Sequence, residues 1–153
     1  MALPHGGLIV NIALFVLMVG SVGISQANQL PKGLVTDIEG ATRVSAEDIF
    51  DLYEKLPGLV IIDSRLATGP SSGRANGFIE GSISLPDTQT NCGSLARILP
   101  GKKSPGLFYC NGLKCGRSVK AIKIALECGY TNIYWFRGGF DEWLAKGYPY
   151  IKP

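Results

Sequence analysis

The sequence predicts an α/β fold in which helices flank a mostly parallel central sheet. Short, continuous apolar runs occur at 59–62, 106–109 and 132–136, and such runs are typical of strands that are buried on both faces of a sheet. Stretches with the apolar spacing of helices lie between these runs. Strands that alternate with helices indicate a parallel sheet covered by helices. A chain of 153 residues that is 46% hydrophobic has enough apolar side chains for one such domain.

The first 31 residues differ from the rest of the chain because they contain no Asp, Glu, Lys or Arg. Within them, Leu8 to Ile24 is almost entirely apolar, and Ser25-Gln26-Ala27 follows. An apolar segment followed by small residues is the pattern of a secretory signal peptide, here cut after Ala27. The alternatives are an uncleaved membrane anchor and a plain buried helix.

This interpretation divides the chain into a signal peptide or membrane anchor at 1–27, a linker at 28–40 and one folded domain at 41–153. We expect an exported, periplasmic protein, or a membrane-anchored protein that faces the same compartment. A membrane partner is expected only if the first segment is kept. No nucleic-acid partner is expected, because the net charge is only +3 and the two signs are interspersed outside the first segment.

The domain is predicted to open with an irregular lead-in up to residue 43, followed by a helix. Ser45 and Asp48 fit a capping box, in which each side chain accepts a backbone N–H at the start of the helix. The helix is predicted over 46–56, and Pro57-Gly58 ends it. Its apolar residues recur with helical spacing and are predicted to face the core; they are Ile49, Leu52, Tyr53 and Leu56.

The next elements are predicted to be short. The strand at 59–62 is followed by a loop rich in Gly, Ser and Pro. A second strand is predicted around Ile83 and Leu85 and ends at Pro86, and a helical turn follows at 94–99.

The last third of the domain is predicted to be strand, helix, strand, helix. The strand at 106–109 leads to a helix over 118–128, and the strand at 132–136 leads to a helix over 140–146. The helix at 118–128 is expected to face inward with Val119, Ile122 and Leu126. Three aromatic residues are expected in the core: Trp135, Phe136 and Trp143.

The third strand and the following helix are joined by an unusual loop in FYCNGLKCGRS. Ligands of open α/β sheets bind where the carboxyl ends of strands meet helix N-termini, and this loop lies at such a junction. Gly112 and Gly116 allow backbone N–H groups to turn inward, and the helix adds the positive end of its dipole. Lys114 and Arg117 add two positive charges. An anion-binding loop of this kind favours the thiolate form of the cysteine placed in it, Cys110.

The single histidine and the cysteine spacing limit the chemistry. His5 is the only histidine, so cleavage after Ala27 would leave none and would exclude Ser-His-Asp and Cys-His catalysis. The four cysteines, at 92, 110, 115 and 128, contain no CxxC and fit no zinc pattern. This spacing gives no reason to expect a zinc site. In an exported protein the four cysteines could form disulfides, with three possible pairings.

Four pieces of the sequence together resemble a known family: VIIDSR, GFIEGSISLP, FYCNGLKCGRS and NIYWFRGGFDEWLAKGYP. In this order they are similar to the single-domain rhodanese (thiosulfate sulfurtransferase) family, over about residues 41 to 151. The closing GGFDEWLAKGYP is the most specific piece. The resemblance implies a rhodanese-like three-layer fold, with a mostly parallel central sheet between two layers of helices.

The resemblance also implies a reaction. Cys110 is at the position of the catalytic cysteine, whose thiolate attacks a sulfane sulfur and forms a persulfide, with release of sulfite if the donor is thiosulfate. The expected partners are a small anionic sulfur donor and a thiol or cyanide acceptor, and the resemblance implies that neither a metal nor an organic cofactor is needed. The substrate-binding residues are then expected in the loop: Asn111, Gly112, Lys114, Gly116 and Arg117. The family resemblance further suggests that Asp63 and Arg65 brace the fold beside the site.

The loop departs from the family pattern, because six residues rather than four separate Cys110 from Arg117. Cys115 lies in this longer loop and could be a resolving thiol, a second sulfur carrier or a residue without a role. Two other functions stay open: a dithiol redox protein that uses Cys110 and Cys115, and a non-catalytic rhodanese-like binding module. Cys128 is expected in the core and Cys92 in a polar loop, although a disulfide between them is possible.

Overall fold

A computed structural model describes residues 33–68 and 73–153. The predicted signal peptide at 1–27 therefore lies outside the described residues. The described strands are β1 (Ala41–Val44), β2 (Val60–Asp63), β3 (Ile83–Ser84), β4 (Gly106–Tyr109) and β5 (Ile133–Phe136). The described helices are α1 (Ala46–Lys55), α2 (Cys92–Ile98), α3 (Arg117–Glu127) and α4 (Gly139–Ala145), with a 3-10 turn at Arg74–Asn76.

The five strands form one parallel sheet in the order β1-β5-β4-β2-β3. The register aligns the last residues of four strands: Asp63 pairs with Tyr109, Tyr109 with Phe136, and Phe136 with Val44. Because all strands run the same way, their carboxyl ends and the loops that follow them meet at one edge of the sheet. The predicted α/β class with a mostly parallel sheet is confirmed.

Helices cover both faces of the sheet, so the domain has three layers. Helices α1 and α4 pack on one face, where Ile49 and Trp143 meet Leu107 of β4. Helices α2 and α3 pack on the other face, where Leu95 and Ile122 meet the next residue of β4, Phe108. Neighbouring residues of one strand enter opposite cores because strand side chains alternate between faces. This explains why every residue of β4 is buried and why its sequence shows no polar alternation.

Helix α1 begins as its sequence predicts. The Ser45 side chain accepts the Asp48 N–H, and the Asp48 carboxylate accepts the Ser45 N–H at 2.7 Å, which completes the capping box. Ile49 is fully buried, but Tyr53 is 47% exposed, so the prediction that Tyr53 faces the core is wrong. The Tyr53 hydroxyl instead donates to the Glu80 carbonyl at the surface.

Two other elements differ from the prediction. Strand β1 lies within the segment that we expected to be irregular up to residue 43, and it pairs with β5 along its whole length. Helix α2 is longer than the predicted turn at 94–99, because the Asn91 and Ser94 side chains form a second capping box at its start.

A disulfide joins Cys92, the first residue of α2, to Cys128, which follows α3, with the two Cα atoms 5.5 Å apart. The prediction of Cys92 in a loop is therefore wrong. Cys128 is half-buried against the core rather than a fully buried core residue.

Within the described ranges, no helix is both long and apolar enough to span a membrane; the apolar run at 8–24 lies outside them.

Candidate active site

Cys110 is the first residue after β4, and residues 111–116 connect it to α3. The loop therefore follows the central strand at the carboxyl edge of the sheet, where the register also brings Asp63 and Phe136. Gly116 precedes α3 and has no side chain that could accept the first N–H groups of the helix. The start of α3 thus keeps hydrogen-bond donors and the positive end of its dipole beside the loop.

Helix α4 holds the backbone of this loop. The Phe140 N–H donates to the Cys110 carbonyl at 2.9 Å, and the Asp141 N–H donates to the Asn111 carbonyl at 2.7 Å. Gly139 makes this approach possible, because it has φ +60° and an added Cβ would collide with the Cys110 carbonyl. The two carbonyls are therefore fixed on α4.

The amides of the loop are only partly available for an anion. The Cys115 N–H donates to the Gly112 carbonyl at 2.9 Å and closes a turn. Among the residues that the structure describes, none accepts the N–H groups of Asn111, Gly112, Leu113 or Lys114. The expected set of backbone donors thus excludes Cys115 and retains the first four residues of the loop.

The structure joins Cys110 and Cys115 in a disulfide, with their Cα atoms 6.4 Å apart. Cys110 is only 2% exposed, whereas Cys115 is half-buried. The Cys110 Sγ lies 3.4 Å from the Cys115 carbonyl oxygen; in the disulfide that sulfur carries no hydrogen, so this is a contact and not a hydrogen bond. The structure therefore contains the site in an oxidised form.

A cavity of about 1030 Å³ opens beside this disulfide. Its wall is formed by an acid that follows β3, by the loop, by the start of α3, and by α4 with the residue before it; these are Asp87, Asn111, Gly112, Leu113, Lys114, Cys115, Gly116, Arg117, Gly138, Asp141, Glu142 and Ala145. All five residues that we predicted to bind substrate are in this wall. Cys115 is in it as well, but Cys110 is not, so Cys115 is the cysteine of the pair that lines the cavity in this form.

The charges of the cavity wall are mixed. Arg117 donates from Nη1 to Asp87 Oδ1 at 2.8 Å, and Lys120 Nζ lies 3.5 Å from Asp87 Oδ2. Asp87 therefore neutralises part of the charge that we expected Arg117 to offer an anion. Lys114 is exposed, and Asp141 is an acid in the same wall.

Sequence reasoning missed Asp87, which is 8% exposed. The signal was present, since Asp87 directly follows Pro86 at the end of GSISLPD. A carboxylate placed after a strand of a parallel sheet lies at the edge where ligands bind.

Asp63 and Arg65 form the centre of a buried network below the loop. The Asp63 carboxylate accepts from Arg65 Nε at 2.8 Å, from Arg65 Nη2 at 2.6 Å, from Arg74 Nη1 at 2.9 Å and from the Tyr109 hydroxyl at 2.8 Å. Burial would lower the pKa of Arg65, but its hydrogen bonds and charge interaction with Asp63 outweigh burial and raise it. Burial, reinforced by the Asp63 charge, raises the pKa of Tyr109, so the phenol stays protonated and remains a donor.

The network is linked to the loop by the chain itself. Tyr109, which donates to Asp63, is the residue immediately before Cys110. The Ser64 N–H donates to the Tyr109 carbonyl at 2.9 Å, and the Ser64 carbonyl accepts the Asp87 N–H at 3.2 Å. The network therefore fixes both the strand end that carries Cys110 and the acid that holds Arg117.

In the part of the chain that the structure describes, no group of three or more His, Cys, Asp or Glu side chains is arranged to hold a metal.

Solved structures with a similar fold include proteins that are named for sulfur transfer. The BH2092 protein from Bacillus halodurans is 21% identical, with a TM-score of 0.61 over 72% of this chain and 77% of that one. The polysulfide-sulfur transferase homodimer from Wolinella succinogenes is 24% identical, with a TM-score of 0.57 over 73% and 79%. Thiosulfate sulfurtransferase from Pseudomonas aeruginosa is 20% identical, with a TM-score of 0.59 over 72% of this chain and 20% of that one. At these identities the likeness shows the fold alone.

The sequence comparisons agree with the fold. The chain is 35% identical over 80 residues to a rhodanese domain-containing protein of Drosophila melanogaster. The aligned region covers 46% of this chain and 70% of that protein. The family model of the rhodanese-like domain matches residues 45–146, well over half of the chain. The matched segment contains the network around Asp63, the loop from Cys110 to Arg117 and helix α4. By sequence, fold and the position of its loop, this chain belongs to the rhodanese-like domain family.

Proposed function

We propose that the protein is a sulfurtransferase that moves a sulfane sulfur through a persulfide on Cys110. The donor is thiosulfate or a similar small anion, and the acceptor is cyanide or a thiol. The Cys110 thiolate attacks the outer sulfur of thiosulfate, the S–S bond breaks and sulfite leaves. The acceptor then attacks the terminal sulfur of the persulfide and regenerates the Cys110 thiolate.

One observation carries this proposal: Cys110 lies between a buried strand and a helix start, in a loop whose first carbonyls are fixed by α4. In addition, the N–H groups of Asn111 to Lys114 have no acceptors among the described residues. These donors and the start of α3 favour an anionic sulfur. Lys114 supplies a positive charge for the anionic sulfur donor, whereas the charge of Arg117 is partly neutralised by its ion pair with Asp87.

The active form is the reduced one. In the disulfide, Cys110 has no thiolate, and Cys115 rather than Cys110 lines the cavity. Reduction frees the Cys110 sulfur and allows Cys115 to swing away from it. We therefore expect activity only after treatment with a dithiol reductant.

The test is thiocyanate formation from thiosulfate and cyanide by the full-length protein after reduction and removal of the reductant. Cys110→Ser should abolish thiocyanate formation, because Cys110 is the cysteine that directly follows β4 and is proposed to carry the transferred sulfur. The variant in which Cys92 and Cys128 are both replaced by Ser is the matched control and should retain the activity. If the wild type forms no thiocyanate and releases no sulfite from thiosulfate, the non-catalytic binding module is the correct interpretation.

A dithiol redox protein is the second candidate, favoured by the disulfide between Cys110 and Cys115. In that function each thiol needs the other, so Cys110→Ser and Cys115→Ser should be equally damaging. In a sulfurtransferase, Cys110 alone carries the transferred sulfur to cyanide, and Cys115→Ser should keep most of the thiocyanate formation. The comparison of these two variants in one assay separates the candidates.

We further propose that the protein works in an oxidising compartment after export, either released or anchored by its first segment. Two disulfides among the described residues support this, because disulfides persist mainly outside the reducing cytosol. Fusion of residues 1–27 to a reporter that is active only after export would test this directly. An inactive fusion that stays in the cytosolic fraction would contradict the proposal.

A further inference from the structure

The longer loop places a second thiol where it can complete a different reaction. We propose that Cys115 attacks the Cys110 persulfide and releases its outer sulfur as sulfide, so that the protein reduces thiosulfate to sulfite and sulfide. This inference rests on the proposed function, because it begins from the Cys110 persulfide. It goes beyond that function in the fate of the sulfur, which leaves as free sulfide and is not handed to an acceptor.

The reaction balances with the two thiols of the loop as the electron source. In the first step the Cys110 thiolate takes the outer sulfur of thiosulfate, and sulfite leaves with the electron pair of the broken S–S bond. In the second step the Cys115 thiolate bonds to the Cys110 Sγ, the persulfide S–S bond breaks, and hydrosulfide leaves and takes up a proton. The two thiols are oxidised to a disulfide and the sulfane sulfur is reduced to sulfide. An external dithiol then reduces the disulfide for the next cycle.

The bond in the structure identifies which sulfur Cys115 attacks. Cys115 bonds to the Sγ of Cys110 itself, with a Cα separation of 6.4 Å that lies within the usual range for disulfides. Attack on the inner sulfur expels the outer sulfur as sulfide. Attack on the outer sulfur would instead move the persulfide to Cys115. The disulfide in the structure is the product of the first route and not of the second.

The loop holds Cys115 in position for this step. The turn closed by the Cys115 N–H and the Gly112 carbonyl brings Cys115 back toward Cys110. Gly112 is buried, and an added Cβ would collide with the Asp141 carboxylate, so the turn is packed against α4. The Cys110 carbonyl is held by the Phe140 N–H. Both ends of the disulfide are thus anchored to α4.

The cavity explains how the disulfide could be reduced again. Cys115 is in the cavity wall and Cys110 is not, so an external thiolate that enters the cavity meets Cys115 first. Attack on Cys115 releases Cys110 as a thiolate, which is the form that starts the next cycle. The volume of about 1030 Å³ is far larger than a thiosulfate ion needs and admits a small dithiol.

The experiment is a single turnover of the full-length protein without an external acceptor. The protein is reduced, the reductant is removed, and one equivalent of thiosulfate is added without oxygen. Sulfite and sulfide are trapped and counted, and the protein is analysed by intact mass and peptide mapping. An external dithiol must be absent, because it would release sulfide from any persulfide.

We expect the wild type to release one sulfite and one sulfide for each chain and to lose two hydrogens, with a new Cys110–Cys115 bond. Cys115→Ser and Cys115→Ala should still release sulfite, but they should release no sulfide and should gain one sulfur on the Cys110 peptide. The variant without Cys92 and Cys128 should release as much sulfide as the wild type. This last result would exclude the other cysteine pair as the source of electrons.

Three outcomes would overturn the inference. If the wild type releases sulfite but keeps the extra sulfur as a stable persulfide, Cys115 does not resolve it, and the sulfurtransferase proposal stands alone. If the Cys115 variants release as much sulfide as the wild type, the electrons come from elsewhere. If the wild type releases no sulfite at all, no persulfide forms, and the proposed function fails together with the inference.

Discussion

Asp63 is the residue on which the region below the loop depends. It is fully buried, yet two arginine side chains and the Tyr109 hydroxyl donate to it. A buried carboxylate is tolerated only when its charge is compensated and its oxygens are hydrogen-bonded, and here both conditions are met. Because Tyr109 donates to Asp63 and directly precedes Cys110, a substitution at Asp63 should alter the position of Cys110 through Tyr109.

Asp63→Asn should strongly destabilise the domain. The substitution keeps the shape but removes the charge that compensates Arg65 and Arg74, so the free energy of unfolding should fall by about 3–5 kcal/mol. Urea unfolding at neutral pH measures this. The control is Asp51→Asn, which breaks the Lys55–Asp51 pair at 2.8 Å on the exposed surface of α1 and should cost about 0–1 kcal/mol. Equal losses for the two variants would contradict the role assigned to Asp63.

At this scale the sequence predicted which residues lie together at the site, but not their contacts. Cys110 and the residues we expected around it are adjacent in the chain, so their proximity followed from the loop. The pairing of Arg117 with Asp87 was not predicted, since it joins residues 30 positions apart that only the sheet brings together. For the same reason the sequence left open whether Cys115 bonds to Cys110, because that depends on how the loop turns.

At the scale of the element, the start of α1 is determined by the four residues of its capping box, Ser45 to Asp48. Hydrogen bonds with Ser45, first from its backbone N–H and then from its side chain, lower the pKa of Asp48. The folded pKa is therefore below the unfolded value, and the folded state favours the charged carboxylate. The stability that Asp48 contributes is complete above the unfolded pKa and is lost as the pH falls through the folded pKa.

Asp48→Ala should therefore destabilise the protein at pH 7 and have little effect in acid. The difference in unfolding free energy between wild type and variant should shrink as the pH is lowered from about 4, the unfolded value, through the folded pKa. Denaturant unfolding at a series of pH values measures it. Glu54→Ala, on the same helix but outside the capping box, is the control for the loss of an acidic side chain that takes no part in capping. A gap for Asp48→Ala that is equally large in acid would show that the carboxylate charge is not responsible.

The helices and inner strands could be predicted from the sequence because their signals are local. Capping residues, apolar periodicity and continuous apolar runs gave α1, β4 and α3 to within a residue at each end. Strand β1 could not be predicted in this way, since Ala41–Val44 is exposed or half-buried in every residue and carries no apolar run. The segment is a strand because its backbone pairs with the exposed edge of β5. That pairing depends on the folded sheet and leaves no signal in the residues of β1 themselves.

At the scale of the whole molecule, the Cys92–Cys128 disulfide connects two helices of one layer. It closes a loop of 36 residues, whereas the Cys110–Cys115 disulfide closes a loop of only five. A cross-link stabilises a fold mainly by restricting the unfolded chain, and the effect grows with the length of the closed loop. The two bonds should therefore contribute very differently to stability.

Replacing Cys92 and Cys128 together by Ser should lower the free energy of unfolding by roughly 4 kcal/mol. The matched control replaces Cys110 and Cys115 together by Ser and should cost roughly 2 kcal/mol by the same relation. Guanidinium unfolding without a reductant compares the two variants with the wild type. A larger loss for the Cys110 and Cys115 pair would show that the bond near α4 matters more to the fold than chain entropy predicts.

The architecture as a whole was accessible from the sequence, because four separated pieces matched one family and each piece falls at a strand end or a helix start. The Cys92–Cys128 disulfide could be named from the sequence only as a possibility. Its formation depends on α2 and α3 packing side by side, and neither helix carries a local sign of its neighbour.

The contact between α4 and the loop also has a consequence for how the protein is made. Residues 110 and 111 receive their fixed carbonyl partners only from residues 140 and 141, which the ribosome adds later. Until then the turn is held, among the described residues, only by its own hydrogen bond from the Cys115 N–H to the Gly112 carbonyl, and its two cysteines can mispair with Cys92 or Cys128, which are already present. The order of synthesis thus makes the newborn chain most vulnerable to wrong cross-links just before its last helix is complete.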